Sequence, residues 1–220
     1  PSPTYYPTQQ PNTGDYGTSG PGYVPVPGNP VGIGTGQPDN HTQTAVFGDT
    51  AGHWAQAEIE EMYRKGIVSG VTATTFEPDR AVTRAEFAAL IARALELAAT
   101  TPAGFFDVAD GAWYASSVNA AANAGIIAGY GGAFRPDDRI TREEMAVVIA
   151  KAYQYRDGEA ASGSIGKFSD IDQISDWAVT SVDTATSAGL IAGMTADTFA
   201  PQEYTTRAQT AVIISRLLKT

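Results

Sequence analysis

Apolar residues recur at helical spacing in six separate stretches of the chain. In three stretches they are four and then three residues apart, which predicts an amphipathic helix. These stripes are Ala55, Ile59 and Met62; Tyr114, Val118 and Ala121; and Ala178, Val182 and Ala185. The other three stripes, apolar apart from one threonine, are Phe87, Leu90, Ile91 and Ala94; Met145, Val148, Ile149 and Ala152; and Thr210, Ile213, Ile214 and Leu217.

The same residue types surround these helices in three copies. Each copy opens with Phe-x-Asp, continues through a tryptophan and two glycines, and reaches a Phe-x-Pro turn before its second helix. The recurring positions are Phe47, Phe105 and Phe168; Trp54, Trp113 and Trp177; Gly66, Gly125 and Gly189; Gly70, Gly129 and Gly193; and Pro78, Pro136 and Pro201. Each copy therefore reads as helix, loop, helix. Since no copy can bury its apolar face alone, we expect one all-α domain with pseudo-threefold symmetry.

The second helix of each copy begins with a capping box. Thr83 is placed to cap the helix and Glu86 to reach back to it, as are Thr141 with Glu144 and Thr206 with Gln209. An arginine follows each threonine, at a position where the helix dipole disfavours a cation. One such arginine would be interpreted as a solvated surface residue. Three at the same register indicate a site, because helix N-termini and the arginine fork both suit a carboxylate. These arginines are Arg84, Arg142 and Arg207.

Composition divides the chain into a linker and a globular part. Residues 1–44 hold nine of the 13 prolines and eight of the 23 glycines and show no apolar period, which predicts a flexible linker before a domain at 45–220. The formal net charge is −10, and only two of these charges lie in the linker. An acidic domain argues against nucleic acid and anionic membranes as partners. No apolar run approaches the ~20 residues that span a bilayer, so we expect no membrane insertion.

Catalytic and metal chemistry find little support in the sequence. There are two histidines, His41 and His53, and no cysteine, and neither histidine has a repeated partner. Adjacent carboxylates such as Glu60 and Glu61 lie on one element rather than across a pocket, as a glycosidase would require. No phosphate loop, nucleophile elbow or metal-ligand spacing is present. We expect a protein that is not an enzyme and that has neither a metal nor a cofactor.

Taken together, these motifs resemble the surface layer homology (SLH) domain. The resemblance rests on Phe-x-Asp, Trp-Ala, Gly-Ile-Val/Ile-x-Gly, Phe-x-Pro-Asp and Thr-Arg-Ala-Glu, in three tandem repeats at about 45–100, 103–156 and 166–220. It implies a spindle around a central bundle of one helix per repeat. It also implies anchoring of a secreted surface (S-layer) protein to the bacterial cell wall, through an anionic secondary cell wall polymer that commonly carries pyruvylated N-acetylmannosamine. The ligand would lie in grooves between repeats, with the motif arginine at the pyruvate carboxylate.

The tryptophans, the second glycines and one serine are further candidates for ligand binding. A tryptophan at the start of a helix is either a packing residue or a flat surface for a sugar ring, and both interpretations stay open for Trp54, Trp113 and Trp177. Gly70, Gly129 and Gly193 either permit a positive φ or allow close approach of the sugar. Ser69 is replaced by alanine in the other repeats, and the first repeat matches the motif best. We therefore expect the grooves to be unequal, with the groove of the first repeat the best candidate.

Two other functions remain open on the sequence. A protein–protein interaction module would present apolar, aromatic-rich groove walls, whereas an arginine at each groove favours an acidic saccharide. Peptidoglycan is an alternative wall ligand. Several moderate sites that meet a repeating polymer would bind it with increased avidity.

Overall fold

The computed structural model describes residues 46–157 and 162–220, and within these ranges the chain is helical. Its six α-helices are α1 Gln56–Arg64, α2 Arg84–Ala94, α3 Ala115–Asn123, α4 Arg142–Asp157, α5 Val179–Ser187 and α6 Arg207–Leu217. Across the described residues the only β-pairing is a set of isolated bridges. The predicted all-α class and the helix–loop–helix repeats are confirmed. The predicted linker at 1–44 lies outside the described residues.

The first helix of each repeat has the predicted boundaries. Helices α1, α3 and α5 each begin two residues after the tryptophan. They end at a glycine in the left-handed conformation, with φ of 71° at Gly66, 72° at Gly125 and 70° at Gly189. A left-handed glycine at this position is a common helix terminator, because only glycine adopts it without a steric penalty from Cβ.

The second helix of each repeat begins with the predicted capping box. The Thr83 hydroxyl accepts a hydrogen bond from the Glu86 backbone N–H at 3.2 Å, and the Glu86 carboxylate accepts one from the Thr83 N–H at 2.9 Å. The same pair of bonds links Thr141 with Glu144 and Thr206 with Gln209. All three capping boxes are thus confirmed, including the one with glutamine.

The aspartate of each Phe-x-Asp motif holds the turn before the second helix. The Asp49 carboxylate accepts hydrogen bonds from the N–H groups of Phe76 at 2.8 Å and Glu77 at 2.7 Å. Glu77 has a φ of 58°, an uncommon conformation for a residue with a side chain. Asp107 and Asp170 bind the equivalent turns of their repeats. Burial acts to raise the pKa of Asp49, but these N–H groups outweigh it and lower the pKa.

Helices pair between repeats. Helix α2 packs on α3, α4 on α5, and α6 on α1, so the second helix of each repeat contacts the first helix of the next. Helix α6 also contacts α2 and α4. The predicted apolar stripes lie in this shared core, where Ile59, Val118 and Val182 are fully buried.

Backbone hydrogen bonds join the repeats in a closed cycle. Val82 donates to the Thr205 carbonyl at 2.9 Å, Thr205 donates to Ile140 at 3.1 Å, and Ile140 donates to Val82 at 3.0 Å. These residues are equivalent positions in the three repeats, so the contacts have the predicted pseudo-threefold pattern. The spindle form and the central bundle implied by the resemblance stay predictions.

Candidate functional site

Each motif arginine binds the repeat that follows its own. Arg84 lies on the first turn of α2, yet its Nε donates to the Phe134 carbonyl at 2.9 Å and its Nη2 to the Ala128 carbonyl at 3.3 Å. Its guanidinium lies 5.0 Å from the centre of the Phe134 ring. Both acceptors belong to the second repeat, so Arg84 joins the first repeat to the second.

The other two arginines complete the cycle. Arg142 of the second repeat reaches the third, and Arg207 of the third repeat reaches the first. Their bonds are Arg142 Nε to Phe199 O at 2.8 Å, Arg142 Nη2 to Ala192 O at 2.9 Å, Arg207 Nε to Phe76 O at 2.7 Å and Arg207 Nη2 to Ser69 O at 2.8 Å. The carbonyl dipoles of a neighbouring repeat therefore surround each cation, a stabilising role that the sequence reasoning missed.

The N–H groups of the helix N-termini are also engaged by the next repeat. Arg84 N–H donates to the Asp138 carbonyl at 2.8 Å and Ala85 N–H donates to the Pro136 carbonyl at 3.0 Å. The first turns of α4 and α6 make the same bonds to the third and first repeats. The prediction that these N–H groups are free to bind an anion is wrong, because they already donate hydrogen bonds to backbone carbonyls of the neighbouring repeat.

Exposure to solvent differs among the three arginines. Arg142 is only 3% exposed, so interpretation as a solvated surface residue is wrong for it. Burial lowers the pKa of Arg142 to about 10, against the opposing effects of Asp170 and Glu203, and the side chain remains protonated at neutral pH. The Arg84 side chain is 12% exposed, and Arg207 is half-buried.

The capping glutamates of the first two repeats pair with arginines at different positions. Glu144 forms an ion pair with Arg84 at 3.1 Å and lies 3.7 Å from Arg135. Glu86 instead pairs with Arg80 of its own repeat at 2.7 Å. In the third repeat the equivalent residue, Gln209, carries no charge. The position of Arg80 is occupied by Asp138 in the second repeat and by Glu203 in the third. This variation between the repeats is the only signal in the sequence that their capping residues pair differently.

The tryptophans fall into two groups. Trp54 is 64% exposed and Trp113 is 43% exposed, so both present aromatic surface to solvent. Trp177 is half-buried and packs against the core. The packing interpretation is thus supported for Trp177, and a role for Trp54 and Trp113 as surfaces for a sugar ring stays a prediction.

The second glycine of each repeat is required by close packing within the repeat. Gly70 does not have a positive φ, so that prediction is wrong. A Cβ at Gly70 would lie 2.3 Å from the Thr72 carbonyl oxygen and 2.6 Å from the Phe47 ring. Gly129 and Gly193 are equally confined, by Phe105 and Phe168. A backbone carbonyl and the Phe-x-Asp phenylalanine of its own repeat therefore leave no room for a side chain at each of these glycines.

Residues of all three repeats line an open groove at Arg207. This Arg207 groove has a volume of about 150 Å³, and its walls include Ser69 of the first repeat, Trp113 of the second and Arg207 of the third. Three of the predicted site residues thus come together. The side chains of Leu90 and Phe76 supply apolar surface beside them.

A smaller groove lies at Arg84. This Arg84 groove has a volume of about 30 Å³ and is lined by Arg84, Glu144, Gly129 and Tyr130, among others. Arg84 and Ser69, both of the first repeat, lie in different grooves, because each groove combines the arginine of one repeat with the loop of the next. The remaining predicted residues line neither groove: Arg142, Trp54, Trp177, Gly70 and Gly193.

Within the described part of the chain, no cluster of three or more potential metal ligands occurs. None of the helices in that part combines the length and apolar character that a membrane span requires.

The fold and the grooves define a class of protein, a helical three-repeat module with grooves between its repeats. The sequence matches the S-layer homology domain three times, at residues 46–88, 104–146 and 167–211. The chain therefore belongs to the S-layer homology domain family.

Several surface proteins and enzymes contain a segment similar to this chain. The exoglucanase XynX of Acetivibrio thermocellus is 39% identical over 92% of the chain, and the amylopullulanase of Thermoanaerobacterium thermosulfurigenes is 43% identical over 79%. The S-layer protein of Bacillus thuringiensis subsp. finitimus is 32% identical over 76% of the chain. The chain spans only 18%, 10% and 20% of the lengths of these three relatives.

The family and these relatives support a role in anchoring to the cell wall and a location at the cell surface. The S-layer homology domain is an anchoring module, and the two related enzymes carry it as 18% and 10% of their length.

Proposed function

We propose that this chain anchors a surface protein non-covalently to the bacterial cell wall by binding an anionic secondary cell wall polysaccharide in the grooves between its repeats. The recognised sugar is a pyruvylated N-acetylmannosamine. In this proposal residues 45–220 form the binding module.

The observation that carries this proposal is the composition of the Arg207 groove. A pyruvate ketal adds a carboxylate to a sugar ring, so its binding site needs a cation beside an aromatic or apolar surface. Arg207 supplies the cation, Trp113 and Leu90 supply the surface, and Ser69 lines the groove beside them. The Glu86 carboxylate also lines this groove and accepts two hydrogen bonds from Arg80. A hydrogen bond to a charged group contributes about 1.5–3 kcal/mol, which is enough for selective recognition of the acid.

The test is co-sedimentation with bacterial wall sacculi before and after acid extraction of the secondary polymer. We expect the intact protein to sediment with untreated sacculi and to remain in solution after extraction. Trp113→Ala should reduce sedimentation at least tenfold, because it removes one wall of the groove. Phe106→Ala is the matched control, since Phe106 is an aromatic residue of the same repeat that is 79% exposed and does not line the groove.

The alternatives give different results in the same experiment. Binding that survives extraction would identify peptidoglycan as the ligand. Loss of binding in both aromatic variants, with no dependence on extraction, would favour a protein partner that covers the exposed aromatic surface.

A further inference from the structure

We infer that the residue after the second glycine of each repeat controls how far the neighbouring groove opens to a ligand. This gate position is Val71 in the first repeat, Tyr130 in the second and Met194 in the third. The inference rests on the proposed function and deepens it, because it makes the size of one side chain decide which grooves admit an acidic sugar.

The two grooves differ in space although both contain a motif arginine that interacts with a capping glutamate. Arg84 forms an ion pair with Glu144 at 3.1 Å. Glu86 lines the Arg207 groove, and although burial acts to raise the pKa of Glu86, Arg80 and Arg207 contribute to lowering it. The Arg207 groove nevertheless has a volume of about 150 Å³, whereas the Arg84 groove has about 30 Å³. The difference in space therefore has a cause other than the presence of a carboxylate.

The backbone at the gate position is held in the same way in every repeat. Two residues before it, a carbonyl accepts a hydrogen bond from Nη2 of a motif arginine, at 2.8 Å for Ser69, 3.3 Å for Ala128 and 2.9 Å for Ala192. The glycine between these two positions has no room for a side chain in any repeat. The side chain at the gate position therefore starts from an equivalent point beside each groove, and its size is what differs.

The gate residues of the first two repeats differ in size and in their place at the groove. Tyr130 lines the Arg84 groove together with Glu144. Its ring takes up space there and leaves about 30 Å³, which holds a water molecule but not a sugar ring. Among the described residues that line the Arg207 groove, Ser69 and the capping Glu86 are present and Val71 is not. The short valine side chain thus leaves the space between the loop and the cap open.

The gate residue of the third repeat reaches the capping residue directly. The Met194 Sδ accepts a hydrogen bond from Nε2 of Gln209 at 3.5 Å, and Gln209 is the capping residue of α6. Met194 therefore connects the start of α6 to the loop whose Ala192 carbonyl binds Arg142. Arg142 is only 3% exposed. A large gate side chain thus accompanies a narrow groove in the second repeat and a buried arginine in the third.

Isothermal titration calorimetry with the methyl glycoside of pyruvylated N-acetylmannosamine tests this inference. We expect one site per chain in the native protein. Val71→Tyr should lower the affinity at least tenfold, because it places in the Arg207 groove the ring that narrows the Arg84 groove. Val71→Met should lower it by a smaller factor, since a methionine side chain is flexible. Tyr130→Val should raise the number of sugars bound per chain by one, because it widens the Arg84 groove.

Two further variants are matched controls. Val71→Thr keeps the β-branched shape and should bind with native affinity. Met194→Tyr exchanges one large side chain for another at the gate position of the third repeat, so it should change neither the affinity nor the number of sites. The melting temperature of each variant shows whether it is folded, and Val71→Met replaces Val71→Tyr as the decisive variant if the tyrosine prevents folding.

The outcomes separate the gate from the proposed function. Native affinity in the folded Val71 variants with tyrosine and methionine, two or more sites in the native protein, or an unchanged number of sites in Tyr130→Val would each overturn the inference while the proposed function stands. An equal loss of affinity in Met194→Tyr and Val71→Tyr would also overturn it, because the effect would not depend on which groove is narrowed. Failure of the native protein to bind the pyruvylated sugar would overturn both.

Discussion

At the scale of the residue, position in a repeat does not fix the role of a side chain. Arg84, Arg142 and Arg207 occupy the same register, and each donates to two carbonyls of the next repeat. Only their surroundings distinguish them: an ion pair with Glu144, burial, and an open groove, respectively. A repeated arginine can therefore make the same contacts to the next repeat in every copy and still have different surroundings in each.

Thr205 is a position at which the third repeat differs in residue type from the other two, and substitution there tests how this difference affects the free energy of unfolding. It is fully buried, and among the described residues its hydroxyl has no hydrogen-bond partner. The equivalent residues are the apolar Val82 and Ile140. Thr205→Val should raise the free energy of unfolding by about 1 kcal/mol, because it replaces an unsatisfied hydroxyl with a methyl group of similar size. Urea denaturation measures the change.

Thr210→Val is the control for this prediction. Thr210 is also fully buried, but its hydroxyl donates to the Thr206 carbonyl at 2.9 Å. The control substitution should be neutral or destabilising, since it removes a satisfied hydrogen bond. Equal stabilisation by both substitutions would mean that β-branched apolar packing, rather than the unsatisfied hydroxyl, determines the gain.

At the scale of the element, local sequence accounts for most helix boundaries. The capping threonines start α2, α4 and α6, and Gly66, Gly125 and Gly189 end the first helix of each repeat. Both signals act within one helical turn, so they are readable from the sequence. The turn bound by Asp49 was not predicted, because the N–H groups that donate hydrogen bonds to the Asp49 carboxylate lie 27 and 28 residues further along the chain. The threefold recurrence of Phe-x-Asp was the available signal for it.

The cap of α2 can be tested by substitution of its threonine. Thr83→Ala should lower the free energy of unfolding by about 1 kcal/mol, because the Glu86 N–H loses its acceptor at the start of the helix. Thr83→Ser keeps the hydroxyl and should stay within a few tenths of a kcal/mol of the native protein. Thermal unfolding of both variants measures the difference. The same melting temperature for the alanine variant and the native protein would be evidence against a stabilising role for the cap.

At the scale of the whole molecule, the third repeat closes back on the first. Helix α6 packs on α1, and the Glu61 carboxylate of α1 binds Lys219 at 2.8 Å and Lys65 at 2.9 Å. Lys219 follows α6, so this ion pair joins the first helix of the first repeat to the end of the third repeat. Hydrogen bonds from Lys219 and Lys65 lower the pKa of Glu61 to about 2.

The contribution of the Glu61 ion pairs to the free energy of unfolding should decrease as the pH falls. A carboxylate whose pKa is lowered in the folded state stabilises the protein above its unfolded pKa of about 4.5 and loses that effect as the pH falls towards about 2. Glu61→Gln should therefore lower the free energy of unfolding by about 0.5–1 kcal/mol at pH 7, since both lysines are largely exposed and screened. The deficit should vanish near pH 2.

Urea denaturation at pH 7, 4 and 2 measures this dependence. A deficit that persists unchanged at pH 2 would show that Glu61 acts through packing rather than through charge. The deficit at pH 7 should also shrink in 1 M salt, where the screening length is only about 3 Å.

The sequence by itself determined the helices, their caps and terminators, the three repeats and the family, because these depend on spacing within a turn or on recurrence along the chain. It also singled out Arg207, Ser69 and Trp113, but without bringing them together. Only the tertiary structure assigned them to one groove, because they come from three different repeats. It alone decided that Glu144 pairs with Arg84 while Glu86 pairs with Arg80, since each choice depends on which charged side chains the fold places beside the cap.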